Sequence, residues 1–280
     1  MTKDRTLEKA IEKMDGRTGR SFSDQFCDFM EMALGMLCNN PNDHQRRLLQ
    51  KTFADKARQG AFLEALNAYG DAAEGYHDPL GDMFMMRISH GQNGQFFTPD
   101  SVCEFMAAVL DPQGETLNDP CCGSGRLLLA GLKVARESGN DPIIYANDLS
   151  YTCAHMCLMN LLYNGARGEV SCGNSLLMDL ANFRFYHIDR VLMPNGAWMS
   201  TYWQYTIEGV EEVNRQRDEW RARMIENGIP VEILPDPLSR ESVPEVSETV
   251  QDEAESVPKE QMYDRLTARP KAVQLELNLF

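Results

Sequence analysis

The strongest constraint on this chain is an alternation between residues 115 and 193. Short apolar runs that end in Gly, Asp or Asn loops alternate there with helical patterns. Strands are predicted at Glu115–Asn118, Pro142–Ala146, Gly168–Ser171 and His187–Met193. Helices are predicted at Leu127–Ala135 and Tyr151–Tyr163. Strands separated by helices predict a parallel sheet of βαβ units, an α/β core.

The flanks read differently. Helices are predicted at Thr6–Met14, from Ser21 or Ser23 through Leu37, at His44–Ala57 and at Ala61–Tyr69, on the 3.6-residue spacing of buried faces. Past Tyr205 the strand signal stops. The expected order is a helical region 1–77, an α/β core 78–205, a charged helix 206–228, an acidic linker 229–270 and an apolar peptide 271–280. The linker is rich in Pro, Ser, Val and Glu and is expected to be disordered. Arg215, Arg217, Arg221 and Arg223 alternate with acidic residues, which predicts a solvated helix face.

Composition narrows the function. Lys and Arg total 27 against 42 Asp and Glu, a net charge of −15, which excludes a protein that grips nucleic acid by bulk positive charge. The first residues carry no apolar signal region, and no run is long enough to cross a membrane. Eight cysteines without an export signal predict free thiols in a reducing cytoplasm. Their spacing makes no zinc site, so no metal is expected.

The loop Asp119-Pro120-Cys121-Cys122-Gly123-Ser124-Gly125 joins the first predicted strand to a helix. Glycines there let a ligand approach the backbone, and the helix start offers free N–H groups. No Lys follows Gly125, and the spacing is not that of a dinucleotide fingerprint. A carboxylate at the start of the loop, with no cation to hold phosphate, suits a ligand with an amino acid moiety and a ribose. S-adenosylmethionine (SAM) is such a ligand. Asp148 ends the second strand, where it could accept hydrogen bonds from ribose hydroxyls. The alternative is that it caps the following helix with Ser150.

Four ordered segments carry a resemblance. They are Gly94-Gln-Phe-Phe-Thr-Pro99, the 119–125 loop, Asn147-Asp148-Leu149 and Cys172-Gly-Asn-Ser-Leu176. Together they resemble the SAM-dependent adenine-N6 DNA methyltransferases, most of all the modification subunits of type I restriction–modification systems. Asp78-Pro-Leu-Gly-Asp82 also looks like that group. The resemblance implies a Rossmann-like class I SAM-dependent methyltransferase core, truncated here. It implies that Phe97, Thr98 and Pro99 line the methionine end of the cofactor. Asp119, Pro120 and the backbone from Cys121 through Gly123, Ser124 and Gly125 would cradle it, Asp148 and Leu149 would flank the ribose, and Asn174 would face the adenine edge. Of Phe96 and Phe97, at least one is expected in the core.

The family's catalytic motif, Asn/Asp-Pro-Pro-aromatic after the fourth strand, holds the exocyclic amine and stacks on a flipped base. Here the fourth strand runs into Pro194-Asn195-Gly196-Ala197-Trp198. Asn195 could present its amide, Pro194 its carbonyl and Trp198 its ring, without the two prolines. Three functions remain open: a DNA adenine methyltransferase, a SAM-binding or fold-retaining regulatory protein, and a SAM-dependent methyltransferase of another substrate. Family modification subunits borrow target recognition from a specificity subunit. The end, Gln274-Leu275-Glu-Leu277-Asn-Leu279-Phe280, resembles peptides that bind the bacterial DNA sliding clamp.

Overall fold

The computed structural model describes residues 3–14, 19–89, 96–110, 112, 114, 116–177, 179–232 and 234. Most of the linker and the whole Gln274–Phe280 peptide lie outside them. The helices are α1 (Lys3–Met14), α2 (Phe22–Leu37), α3 (Asp43–Phe53), α4 (Lys56–Ala72), α5 (Pro79–Phe84), α6 (Asp100–Leu110), α7 (Arg126–Glu137), α8 (Tyr151–Tyr163) and α9 (Val210–Glu226). The strands are β1 (Thr116–Asp119), β2 (Ile143–Asp148), β3 (Arg167–Cys172), β4 (Arg184–Leu192), β5 (Trp198–Tyr205) and β6 (Val231–Glu232).

Local chemistry starts these helices where the sequence signals them. Ser21 caps α2 through the Asp24 N–H, and Asn42 with Gln45 forms a capping box on α3. Ser150 caps α8.

The sheet runs β1-β2-β3-β4-β5, with β6 beside β4. β1, β2 and β3 are parallel, as expected. β4 is antiparallel to β3, which corrects the fourth parallel strand. The reason is length. Only residues 173–183 join β3 to β4, with one 3-10 turn at Leu180–Asn182, and a parallel return takes about a dozen residues or more, usually a helix. β5, a strand not expected from the sequence, pairs antiparallel with β4 from Phe185 to Leu192. The outer edge of β1 is unpaired among the described residues.

One face of the sheet carries Ile144, Val170, Tyr186, Ile188 and Tyr202 into a core shared with α7, α8 and the N-terminal helices. That core runs without a break from Leu7 to Tyr202. The opposite face carries Phe185, Val191, Trp203 and Tyr205 onto Val213 and Trp220 of α9. Helix α9 thus lies on a face of the sheet and leaves its edges uncovered. The edge at β5 is instead held by the loop after α2, where the Asn39 N–H donates to the Tyr202 carbonyl (2.8 Å) and Asn40 bonds the Gln204 backbone at both ends.

The solvated arginine face is corrected too. Arg215 is exposed and pairs with Glu212 and Glu219, but Arg217 and Arg221 are buried on Asp189 of β4 (2.8 and 3.0 Å). Burial works against the Asp189 charge, yet hydrogen bonds from His187 and Arg217 hold its carboxyl well below the usual carboxylate range.

Helix α6 buries Cys103 and Ala107 and turns Val102, Phe105, Met106, Val109 and Leu110 outward. No described helix is long and apolar enough to cross a membrane.

Candidate functional site

The carboxyl ends of β1, β2 and β3 meet at one place, the crevice where open α/β sheets bind ligands. The 119–125 loop leaves β1 there and enters α7. Gly123 (φ +55°) and Gly125 (φ +87°) occupy left-handed conformations. A Cβ on Gly123 would meet the Phe97 ring at 3.0 Å, and one on Gly125 would meet Cys157 Sγ at 2.8 Å. Both positions therefore need glycine for conformation and for space.

Asp148 ties the second strand to this loop. Its Oδ2 accepts from the Gly123 N–H (2.9 Å) and its Oδ1 from the Ser150 N–H (2.8 Å). Ser150, not Asp148, supplies the cap of α8. Each Asp148 oxygen retains acceptor capacity toward the crevice. Asp119 accepts from the Cys121 N–H (3.0 Å). Burial, opposed by that bond and reinforced by the Asp148 charge, pushes the Asp119 carboxyl up.

The neighbouring Asn147 stitches the three loops, a role that sequence reasoning missed. Its amide donates to the carbonyls of Pro120 (3.2 Å) and Gly173 (3.1 Å) and accepts from Ser171 Oγ (2.9 Å). Its own carbonyl accepts from the Cys122 N–H (2.8 Å). The signal was an Asn placed between a strand and the Asp, read only as part of a motif. Asn174 lies in the third loop, where its side-chain oxygen closes its own turn on the N–H groups of Leu176 and Leu177. Leu149, Leu176 and Leu177 stand exposed around this end, an apolar rim beside two carboxylates.

The 97–99 segment reaches the same place. Phe97 stacks on Phe84 (centroids 5.8 Å apart) and packs against the core, while Phe96 is exposed. Thr98 and Pro99 are exposed, and the Thr98 carbonyl accepts from Arg126 Nη1 (3.4 Å). The structure thus gathers Phe97, Thr98, Pro99, the 119–125 loop, Asp148, Leu149 and Asn174.

It does not gather Pro194, Asn195 and Trp198. Pro194 and Asn195 form the tip of the β4–β5 hairpin and Trp198 begins β5, the turn being closed by the Met193 N–H on the Ala197 carbonyl (2.8 Å) and by Gly196 at φ +80°. Asn195 Oδ1 accepts from the Ala197 N–H (3.1 Å), and the Trp198 ring lies under the Arg190 guanidinium (5.2 Å). Arg184 pairs with Cys172 at the carboxyl end of β3, and β4 runs away from it for eight residues, to Leu192. At ~3.4 Å per residue the hairpin tip is about 27 Å from the glycine-loop end. The Asn-Gly pair is turn chemistry, which the degenerate-motif reading passed over.

Fold and crevice define an α/β protein with a glycine loop and two carboxylates at the carboxyl ends of its parallel strands. Residues 77–229 match the model of the N-6 DNA Methylase family, and the chain belongs to that family. Among curated relatives it is 29% identical over 190 residues to the MpnII methylase subunit of a type I restriction enzyme from Mycoplasma pneumoniae, covering 65% of this chain and 32% of that protein. It is 33% identical over 162 residues to the MjaIX methylase subunit from Methanocaldococcus jannaschii, covering 53% and 29%. The chain thus spans about a third of the length of these relatives.

Two solved structures are similar. A protein described as a class I S-adenosylmethionine-dependent methyltransferase from Listeria monocytogenes aligns at TM-score 0.39 and 18% identity, over 57% of this chain and 48% of that one. The methyltransferase subunit of a type I restriction–modification system from Streptococcus thermophilus aligns at TM-score 0.33 and 19% identity, over 64% and 41%. Both likenesses are too loose to place a strand or a residue.

Proposed function

We propose that this chain binds SAM and serves adenine-N6 methylation of DNA, with the base-holding loop contributed from outside the described residues. The observation that carries the reading is Asp148, a carboxylate at the end of β2 bonded to the Gly123 N–H of the glycine loop. The residues present fit the cofactor. Asp148 can accept from ribose hydroxyls, Leu149, Leu176 and Leu177 offer an apolar rim for the adenine ring, and Phe97, Thr98 and Pro99 flank the methionine end. The left-handed glycines let the loop backbone pack close against Phe97 and Cys157, which sets its shape. When bound, the cofactor supplies an electrophilic methyl group.

Transfer also needs acceptors that hold the exocyclic amine of a flipped base. Pro194, Asn195 and Trp198 sit at the wrong end of the sheet for that task. A loop facing Asp119 would come from a further parallel strand. The far side of β3 is taken by antiparallel β4, which leaves the open edge of β1. Family membership supports DNA as the substrate. We infer adenine as the base, a specificity subunit for target recognition, and a bacterial cytoplasmic setting, to which eight free thiols also point. For Gln274, Leu275, Leu277, Leu279 and Phe280 we infer docking on the sliding clamp, with the linker as tether. A second reading, a regulatory protein that has lost transfer altogether, is favoured by the hairpin that stands where the family motif was expected.

Ultraviolet crosslinking of methyl-tritiated SAM, followed by peptide mapping, tests the reading. Label is expected in the peptides holding 97–99 and 119–125, and its loss in Asp148→Ala. A folded wild-type chain that takes no label contradicts cofactor binding. Label together with methyl transfer to DNA that Asn195→Ala abolishes contradicts a base-holding loop outside the described residues.

A further inference from the structure

Asp78 lies outside the crevice, yet its side chain is fully buried beneath the glycine loop. As the cap of α5 it accepts from the Gly81 N–H through Oδ1 (2.9 Å). The same oxygen accepts from Asn160 Nδ2 of α8 (2.7 Å). Oδ2 accepts from Ser124 Oγ of the loop and from Arg126 Nε of α7 (3.2 Å). Four donors from three separate parts of the chain thus converge on one carboxylate. Asn160 adds a second grip, donating to the Ser124 carbonyl (2.9 Å) while accepting from Tyr69 Oη of α4 (2.9 Å). Ser124 is therefore held at both its hydroxyl and its carbonyl.

Arg126 carries the connection outward. It bonds Asp82 (2.6 Å), pairs with Asp100 (3.0 Å) and donates to the Thr98 carbonyl. Asp82 and Asp100 sit on α5 and at the start of α6, on either side of the 97–99 segment. One guanidinium thereby joins the segment over the crevice to the helix that begins beneath it.

We propose that Asp78 is a positioning residue for the cofactor loop, holding Ser124 so that the Gly123 and Gly125 backbone keeps its shape, and that Arg126 extends this hold to the 97–99 segment. The proposal rests on the reading that the loop holds SAM. Burial holds the Asp78 carboxyl above its ordinary value, and Arg126, Ser124, Gly81 and Asn160 limit that rise. All four partners donate, so an amide of the same shape turns its NH2 either toward Ser124 and Arg126 or, flipped, toward the Gly81 N–H and Asn160.

The test compares Asp78→Asn and Arg126→Gln with Arg136→Lys. Arg136 is buried at the other end of α7, on Asp141 and the carbonyls of Asn164 and Gly165, so its change disturbs the same helix away from the loop. Calorimetric affinity for SAM is read beside alkylation of Cys122, which is buried in the loop against Cys157. Asp78→Asn is expected to weaken SAM binding by about 10- to 100-fold and to expose Cys122 to alkylation, as hydrogen bonds to a charged group are lost. Arg126→Gln is expected to do the first with less of the second, and Arg136→Lys neither. Wild-type affinity and Cys122 protection in a folded Asp78→Asn protein overturn the proposal. Equal losses in Asp78→Asn and Arg136→Lys also overturn it, as they mark a merely structural role. If the wild-type chain itself fails to bind SAM, the function reading fails, and the contrast in Cys122 alkylation alone then decides the positioning role.

Discussion

Gly125→Ala tests whether the loop is shaped by the backbone conformation described here. Two costs follow from the structure. The φ of +87° puts an L-residue in the left-handed region, at about 1–2 kcal/mol. The new Cβ would stand 2.8 Å from Cys157 Sγ and 3.3 Å from Cys157 Cα, and α8 is too well buried there to yield freely. Such overpacking costs about 1–3 kcal/mol. The sum is about 2–5 kcal/mol, a fall in Tm on the order of 4–20 °C for a folded body of this size. Thermal unfolding followed by circular dichroism reads it. Cys157→Ala in the same chain removes the sulfur but not the Cα or the positive φ. The double variant should therefore be less destabilised than the sum of the two single changes, by about 1 kcal/mol. A Gly125→Ala protein within about 0.5 kcal/mol of wild type would refute the reasoning, as would strict additivity with Cys157→Ala.

Other consequences are as direct. Asp189→Asn leaves Arg217 and Arg221 buried without their carboxylate, and should cost about 3–5 kcal/mol in chemical denaturation. Asp189, Asp141 and Glu31 have carboxyls held below their ordinary range. Burial opposes their charge in each case, but arginines at Asp141, His187 and Arg217 at Asp189, and His155 at Glu31 outweigh it. Their stabilisation is present above a pH of about 4 and lost as pH falls through their lower folded values, so urea midpoints should drop steeply between about pH 4 and 2. Asn195→Ala removes the acceptor of the Ala197 N–H and should cost about 0.5–1.5 kcal/mol while leaving SAM affinity unchanged. A tenfold loss of affinity in that variant would return the hairpin to the site.

The glycine loop and its three strand ends were legible because local chemistry fixes them. Gly123, Gly125 and Asp148 carry their meaning within a few residues of strand ends marked by apolar runs. Ser21 and Ser150 mark helix starts for the same reason. Strand direction was not legible, because it depends on how far the 173–183 connection reaches and not on the residues of β4. Tyr186 and Ile188 face one side and His187 and Asp189 the other, an alternation equally compatible with either direction. His187 and Asp189 read as polar residues out of place until Arg217 and Arg221 arrive from α9, some 30 residues later in the chain. Asp78 and Asn160 are 82 residues apart, and no short-range pattern joins them. β5 was not foreseen because Pro194–Trp198 invited comparison with a catalytic motif, although Asn195-Gly196 announces a hairpin.

The most direct test of the account is calorimetric titration of SAM into the purified chain and into Asp148→Ala. Micromolar binding by the wild type, abolished in a folded Asp148→Ala protein, is the predicted result. No binding by a folded wild-type chain, or equal binding by both proteins, would contradict a cofactor site built on the carboxyl ends of β1, β2 and β3.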